Sequence, residues 1–167
     1  MAPDGPPEGV KARCFPAVVG RKPKVLILGS LPGAASLRLG QYYGHPRNRF
    51  WELLGGALGE DLRSLPYPRR LARLKARGVA LWDVVAEAHR PGSLDSSIRR
   101  ASHNEVAALI ARIRPRAVFL NGLKAAAAFR RCAPGSPAFV LPSSSPANAS
   151  VPWARKARAW RRVRGFL

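Results

Sequence analysis

Four short apolar runs, set apart by segments of helical periodicity, constrain this chain more than any other feature. They are residues 24–29 (KVLILG), 79–85 (VALWDVV), 117–120 (AVFL) and 138–141 (AFVL). Each is continuously apolar rather than alternating, the pattern of a strand covered on both faces. Between them lie four expected helices. Residues 47–58 carry Trp51, Leu54 and Leu58 at helical spacing, and 68–77 end at Gly78. Ser102-His-Asn-Glu105 reads as a capping box opening a helix through Val106, Leu109, Ile110 and Ile113, and 123–131 follow Asn121-Gly122. Strands alternating with helices predict a three-layer α/β/α sandwich around a central, mainly parallel four-stranded sheet. Residues 1–22, rich in Pro and Gly, read as a partly flexible arm, and 23–167 as a single domain.

In sheets of this kind ligands collect at the carboxyl ends of the strands. The segments that matter are therefore 30–48, 83–97, 121–122 and 142–148.

Charge narrows the class of ligand. The 167 residues carry 29 Lys+Arg against 9 Asp+Glu, a formal net charge of +20. Such a charge attracts polyanions, of which nucleic acid is the common one. Beyond Glu105 no acid occurs in 62 positions, whereas 12 Arg or Lys do. Half of those 12 fall in the closing stretch WARKARAWRRVRGFL. It reads as a helix capped by Ser150, with Pro152 in the first turn and Trp153, Ala157, Trp160 and Val163 as its apolar stripe. Arg155, Lys156, Arg158, Arg161 and Arg162 then form its outer face, suited to DNA phosphates. No run approaches the ~18 apolar residues of a membrane span, and the N-terminus lacks signal-peptide organisation. Cys14 and Cys132 are too few for an all-cysteine metal or cluster site and are expected as reduced thiols in the cytoplasm. No ligand cluster calls for a metal or cofactor.

The strand-end segments carry the candidate chemistry. Residues 29–51 read GSLPGAASLRLGQYYGHPRNRFW. This Gly-rich turn is neither a lysine phosphate loop nor GxGxxG. Tyr42 and Tyr43 fit either core aromatics or platforms for an unpaired base. His45 before Pro46 reads as structural, and Asn48 as a helix cap or a functional amide. Residues 141–150, LPSSSPANAS, form a stiff turn whose hydroxyls and amides suit backbone phosphates. Asp83, a rare acid ending an apolar strand, either caps the next segment or does chemistry.

Taken in order, GSLPG (29–33), HPRNRFW (45–51) and LPSSSPAN (141–148) resemble the uracil-DNA glycosylase superfamily. The first two segments are similar to its mismatch-specific branch. With LWDV, GSLDSSI and NG between them, the set more specifically resembles the hypoxanthine-DNA (deoxyinosine) glycosylase family, over residues 15–160. The resemblance implies a monofunctional glycosylase that flips a deaminated base from double-stranded DNA and hydrolyses its N-glycosidic bond. It would act as a monomer, without cofactor. By the same resemblance Asn48 is catalytic. Tyr43 stacks on the flipped base, with Tyr42, Ser30 and Leu31 lining its pocket. Asp83 stands where uracil-specific relatives read the base. Ser143, Ser144, Ser145, Pro146 and Asn148 meet the DNA at the minor groove, and Ser145 and Pro146 offer little bulk for a wedge. Arg155 and Lys156 join them as phosphate contacts.

Three departures from the pattern separate this chain from the uracil enzymes. Leu31 replaces the asparagine of the mismatch branch, and Leu141 replaces the base-contacting His or Asn that opens the second motif. No acid stands between Glu8 and Glu52, where the main uracil branch keeps its water-activating aspartate. Lys24 precedes the first strand and Lys124 lies on a helix, so neither is expected as a covalent nucleophile. The rival readings are a uracil or thymine mismatch glycosylase and a non-catalytic nucleic-acid-binding protein.

Overall fold

The computed structural model describes residues 11–89 and 99–167. The apolar runs form a four-stranded parallel sheet in the order β3-β2-β6-β7. These strands are β2 (Val25–Gly29), β3 (Val79–Asp83), β6 (Ala117–Asn121) and β7 (Phe139–Leu141). Successive side chains on a strand point to opposite faces, and the core divides accordingly. Val25, Ile27, Val79, Leu81 and Phe119 pack on one face with Phe50, Leu54, Leu74 and Trp160. Leu26, Leu28, Ala80, Val118 and Leu120 pack on the other with Val106, Leu109 and Phe129. The first group of partners comes from α2 (Phe50–Leu58), α3 (Tyr67–Arg77) and α6 (Trp153–Trp160). The second comes from α4 (Val106–Ile113) and α5 (Leu123–Cys132). The three expected layers are present.

Four local expectations differ from the structure. The run 79–85 is broken at Val84, whose N–H reaches the Gly29 carbonyl at 2.8 Å while Val85 N–H reaches Ser30 at 3.0 Å. The chain then leaves the main sheet as β4 (Val85–His89), which with β1 (Lys11–Arg13) and β5 (Arg99–His103) makes a small antiparallel sheet ordered β1-β4-β5. Ser102 accordingly pairs with Glu87 in β5 and caps no helix; Glu105 flanks α4 without a side-chain cap bond. The helix expected from residue 47 begins at Phe50, because 45–49 fold into a turn. The terminal helix ends at Trp160 and tightens into a 3-10 stretch, Arg161–Phe166. Its buried stripe is Lys156, Trp160 and Val163, while Trp153 stays exposed. Helix periodicity alone could not choose between Trp153 and Lys156, one turn apart.

Gly78, at φ 76°, ends α3 as expected. The lead-in is seated along part of its length: Val18 is buried and exchanges both backbone hydrogen bonds with Leu81. Residues 1–10 of the expected arm, and the GSLDSSI segment at 92–98, lie outside the described residues. No described helix is long and apolar enough to cross a membrane.

Candidate active site

Parallel register puts the strand ends in one row. Gly29 pairs with Asp83, Leu28 with Leu120, and Asn121 with Leu141. The segments leaving that row enclose a cavity of about 660 Å³. Its wall contains every residue the sequence singled out for base or minor-groove contact: Ser30, Leu31, Tyr42, Tyr43, Asn48, Asp83, Ser143, Ser144, Ser145, Pro146 and Asn148. Arg155 and Lys156 are not part of it.

The tyrosine turn is held from three sides. Ser36, buried in the short α1 (Ala34–Leu39), accepts the Gly44 N–H at 2.9 Å. Trp51 Nε1 donates to the Tyr42 carbonyl at 3.2 Å, and Tyr42 N–H donates to the Tyr67 hydroxyl at 3.0 Å. Tyr43 between these anchors takes φ 53°, a conformation that a bulky side chain adopts only when its surroundings enforce it. Its ring stacks on Phe50 with centroids 3.8 Å apart and planes 14° from parallel. Tyr42 is chiefly a core residue. It is buried, lies edge-on to Phe15, and spends its hydroxyl on the Phe15 and Pro16 carbonyls at 3.1 and 3.0 Å. Burial, with the Asp83 charge next, pushes that phenol well above its usual range.

Gly29 explains the closeness of the site's floor. A Cβ there would meet both the Asp83 Oδ1 and the Tyr43 hydroxyl at 2.6 Å, so both oxygens converge on this one position. Asp83 is only 3% exposed. Its carbonyl accepts from Asn104 Nδ2 at 2.7 Å, and the same nitrogen lies 3.1 Å from Cys14 Sγ. Burial raises the Cys14 thiol above its ordinary value, which disfavours a thiolate beside this carboxyl.

Asn48 Oδ1 accepts the Phe50 N–H at 3.0 Å, fixing the amide and leaving its second lone pair and its NH2 unspent in that bond. One residue on, Arg49 N–H donates to the Ser144 carbonyl at 3.0 Å. Ser144, fully buried, is clasped by Asn121: Asn121 Nδ2 donates to Ser144 Oγ and Ser144 N–H to Asn121 Oδ1, both at 2.9 Å. Sequence reading marked position 121 only as a loop to inspect; the strand-end amide was the available signal. The rest of the serine turn is braced internally. Ser143 Oγ accepts Ser145 N–H, Ser145 Oγ accepts Ala147 N–H, and Asn148 Nδ2 donates to the Ser143 carbonyl.

The basic terminal helix acts partly as a support for this turn. Trp160 Nε1, in the core, donates to the Pro142 carbonyl at 2.9 Å. The Arg49 guanidinium lies 4.3 Å from the Trp153 ring centre and pairs with Glu52 at 3.1 Å. Lys156, expected on the outer face, is instead 5% exposed, because the helix turns it towards its packed side. Burial, then the neighbouring Arg49 charge, lowers its pKa. Arg155 is exposed as expected. Lys124 lines the cavity, which its position on a helix did not suggest. Among the described residues no group of three or more His, Cys, Asp or Glu is placed to hold a metal ion.

The family model of the uracil DNA glycosylase superfamily matches residues 16–164. The chain belongs to this superfamily. A protein named hypoxanthine DNA glycosylase from Methanosarcina acetivorans is 42% identical over 140 residues, 81% of this chain and 87% of that protein. Another of the same name, from Methanosarcina barkeri, is 46% identical over 100 residues, or 60% of this chain. That match spans 63% of the Methanosarcina barkeri protein's length. A solution NMR structure of a candidate uracil DNA glycosylase from Methanosarcina acetivorans superposes with a TM-score of 0.82 at 38% identity, covering 94% of this chain and 99% of that one. The α/β/α sandwich with its parallel sheet is thus the fold of this superfamily member and its structural neighbour.

Proposed function

We propose that this chain is a monofunctional DNA glycosylase that removes hypoxanthine from double-stranded DNA, acting as a monomer in the cytoplasm. The observation that carries the proposal is the single cavity in which Asn48, Tyr43 and Asp83 meet.

Cleaving the bond between C1′ and the base nitrogen sends the bonding electrons to the base and builds positive charge on the sugar. A water oxygen then bonds to C1′, and its proton leaves to solvent or the departing base. The enzyme's task is to place that water and stabilise the separating charges. Asn48 cannot take a proton as a carboxylate does. Its free lone pair, held in place by the Phe50 N–H, accepts a hydrogen bond from the water and aims the water oxygen at C1′. Tyr43, backed by Phe50, supplies a flat face for the extruded base, and such stacking recovers ~1–3 kcal/mol of the cost of flipping.

Asp83 supplies the preference. Hypoxanthine carries an N1–H donor where adenine has only an acceptor, and a buried carboxylate accepts a hydrogen bond from it. With adenine in its place the carboxylate is left facing a lone pair, which costs roughly 1–3 kcal/mol or more. Leu31 and Leu141, both buried and both in the cavity wall, put apolar surface where uracil enzymes place polar groups, so uracil is the poorer substrate.

The test uses duplexes carrying one inosine, uracil, xanthine or G·T mismatch, followed by alkali to reveal abasic sites. Inosine should be cleaved first, and Asp83→Asn should erode the inosine-over-adenine ratio. An unchanged ratio in Asp83→Asn removes that residue from base reading. Activity on uracil alone contradicts the proposal.

A further inference from the structure

Four large apolar side chains are exposed among the described residues, and two of them, Leu123 and Val140, border the cavity. Leu123 is the most exposed, at 78%, against 56% for Leu39 and 45% for Val140. A solitary exposed leucine needs no explanation, but this one is built into its place. Gly122 turns at φ 95°, donates its N–H to the Leu141 carbonyl at 3.0 Å, and has no room for a Cβ, which would come 2.9 Å from Ser143 Cβ. The backbone at 122 is therefore pressed against the serine turn, and Leu123 emerges beside it. Behind it α5 is anchored by Ala125, Ala126 and Phe129 in the core, so the tip stands on a rigid base. Lys124, exposed and also on the cavity wall, places a cation next to the apolar tip.

A base rotated out of a duplex leaves a gap, and unstacking its neighbours costs a few kcal/mol, which proteins offset by inserting an apolar wedge. The serine turn offers little apolar bulk for one. Ser145 spends its hydroxyl capping the 3-10 turn Pro146–Asn148, whose first residue is a proline. We infer that Leu123 is the wedge that enters the base stack beside the extruded nucleotide, with Lys124 on the adjoining phosphate. The inference rests on the glycosylase reading and assigns its base-flipping step to α5 rather than to the serine turn.

A wedge acts only where there is a stack to open, so the decisive comparison is duplex against single strand. Single-turnover excision of inosine by wild type, Leu123→Ala and Leu123→Met is measured on both. Leu123→Ala should slow duplex excision about tenfold and leave the single-strand rate within about twofold. Met, which keeps the bulk, should restore the duplex rate. Equal losses on both substrates, or no loss on the duplex, overturn the inference. In parallel, 2-aminopurine next to the inosine reports unstacking on binding alone. A fluorescence rise with wild type that Leu123→Ala lacks supports the wedge even if no base is excised, in which case only the glycosylase reading falls. No rise with wild type, or the same rise with both, overturns the wedge.

Discussion

Replacing Asn121 with alanine tests how the site is held together. Asn121 makes two reciprocal hydrogen bonds to Ser144, which is fully buried and in turn receives the Arg49 N–H beside Asn48. A bond lost without stranding a buried group costs ~1 kcal/mol net, and one whose loss leaves a buried donor without a partner costs ~1–3 kcal/mol instead. Asn121→Ala removes both bonds and strands the Ser144 amide, so it should cost about 2–4 kcal/mol. Ser144→Ala removes only the Nδ2–Oγ bond and keeps the amide bond, so it should cost about 1 kcal/mol. With a urea m-value of ~2 kcal/mol/M, the midpoint should fall by about 1–2 M in the first and about 0.5 M in the second. The serine turn and the Asn48 turn should loosen together. Single-turnover excision by Asn121→Ala should therefore drop by ~10–100-fold, the scale of a misplaced catalytic group. If Asn121→Ala shifts the midpoint no further than Ser144→Ala, the reciprocal clasp is not what holds the turn.

Three other outcomes follow from the charges. The Arg73 hydrogen bond, with Arg77 beside it, holds Glu60 down to about 2 from its ordinary 4.5. A lowered carboxylate stabilises the fold fully above 4.5, and that contribution is lost as pH falls through 2. Glu60→Gln should therefore lower the urea midpoint at pH 7 and match wild type near pH 2. Burial disfavours the charged form of Lys156, a penalty fully present at neutral pH and relieved as pH rises towards the ordinary 10.5. Lys156→Met should raise the midpoint at pH 7, with the gap closing in strongly alkaline buffer; a lower midpoint would mean the ammonium has a stabilising partner. Borohydride added during turnover should trap no protein–DNA adduct, in wild type or in Lys124→Ala; a trapped species lost in Lys124→Ala would make that lysine a nucleophile.

How legible all this was in the sequence depended on the range of the interaction. The parallel sheet could be read because β2, β3 and β6 are uniformly apolar, a local signature of burial on both faces. The position of the cavity could be read because parallel strands bring their carboxyl ends together whatever lies between them. The small antiparallel sheet could not. β4 and β5 read VAEAH and RRASH, with little apolar content to mark them, and the third strand, β1, pairs with β4 across 74 to 78 positions of sequence. Lys156 was misplaced because a long aliphatic stem packs as well as an apolar residue, which a count of charges cannot register. Tyr42 and Tyr43 are neighbours of identical chemistry, and only the Trp51, Tyr67 and Phe15 contacts separate the core ring from the one on the cavity floor. Asn121 became meaningful only with Ser144 opposite it, 23 positions along the chain.

In the proposed mechanism a fixed amide, rather than a carboxylate, places the attacking water for a deaminated purine. Single-turnover excision of inosine from a duplex by wild type and Asn48→Ala tests it most directly, with the two proteins matched for duplex binding. Wild type should give abasic product, and Asn48→Ala should lose at least ~100-fold at unchanged affinity. Undiminished excision by Asn48→Ala, or a wild type that cleaves uracil and leaves inosine intact, would contradict it.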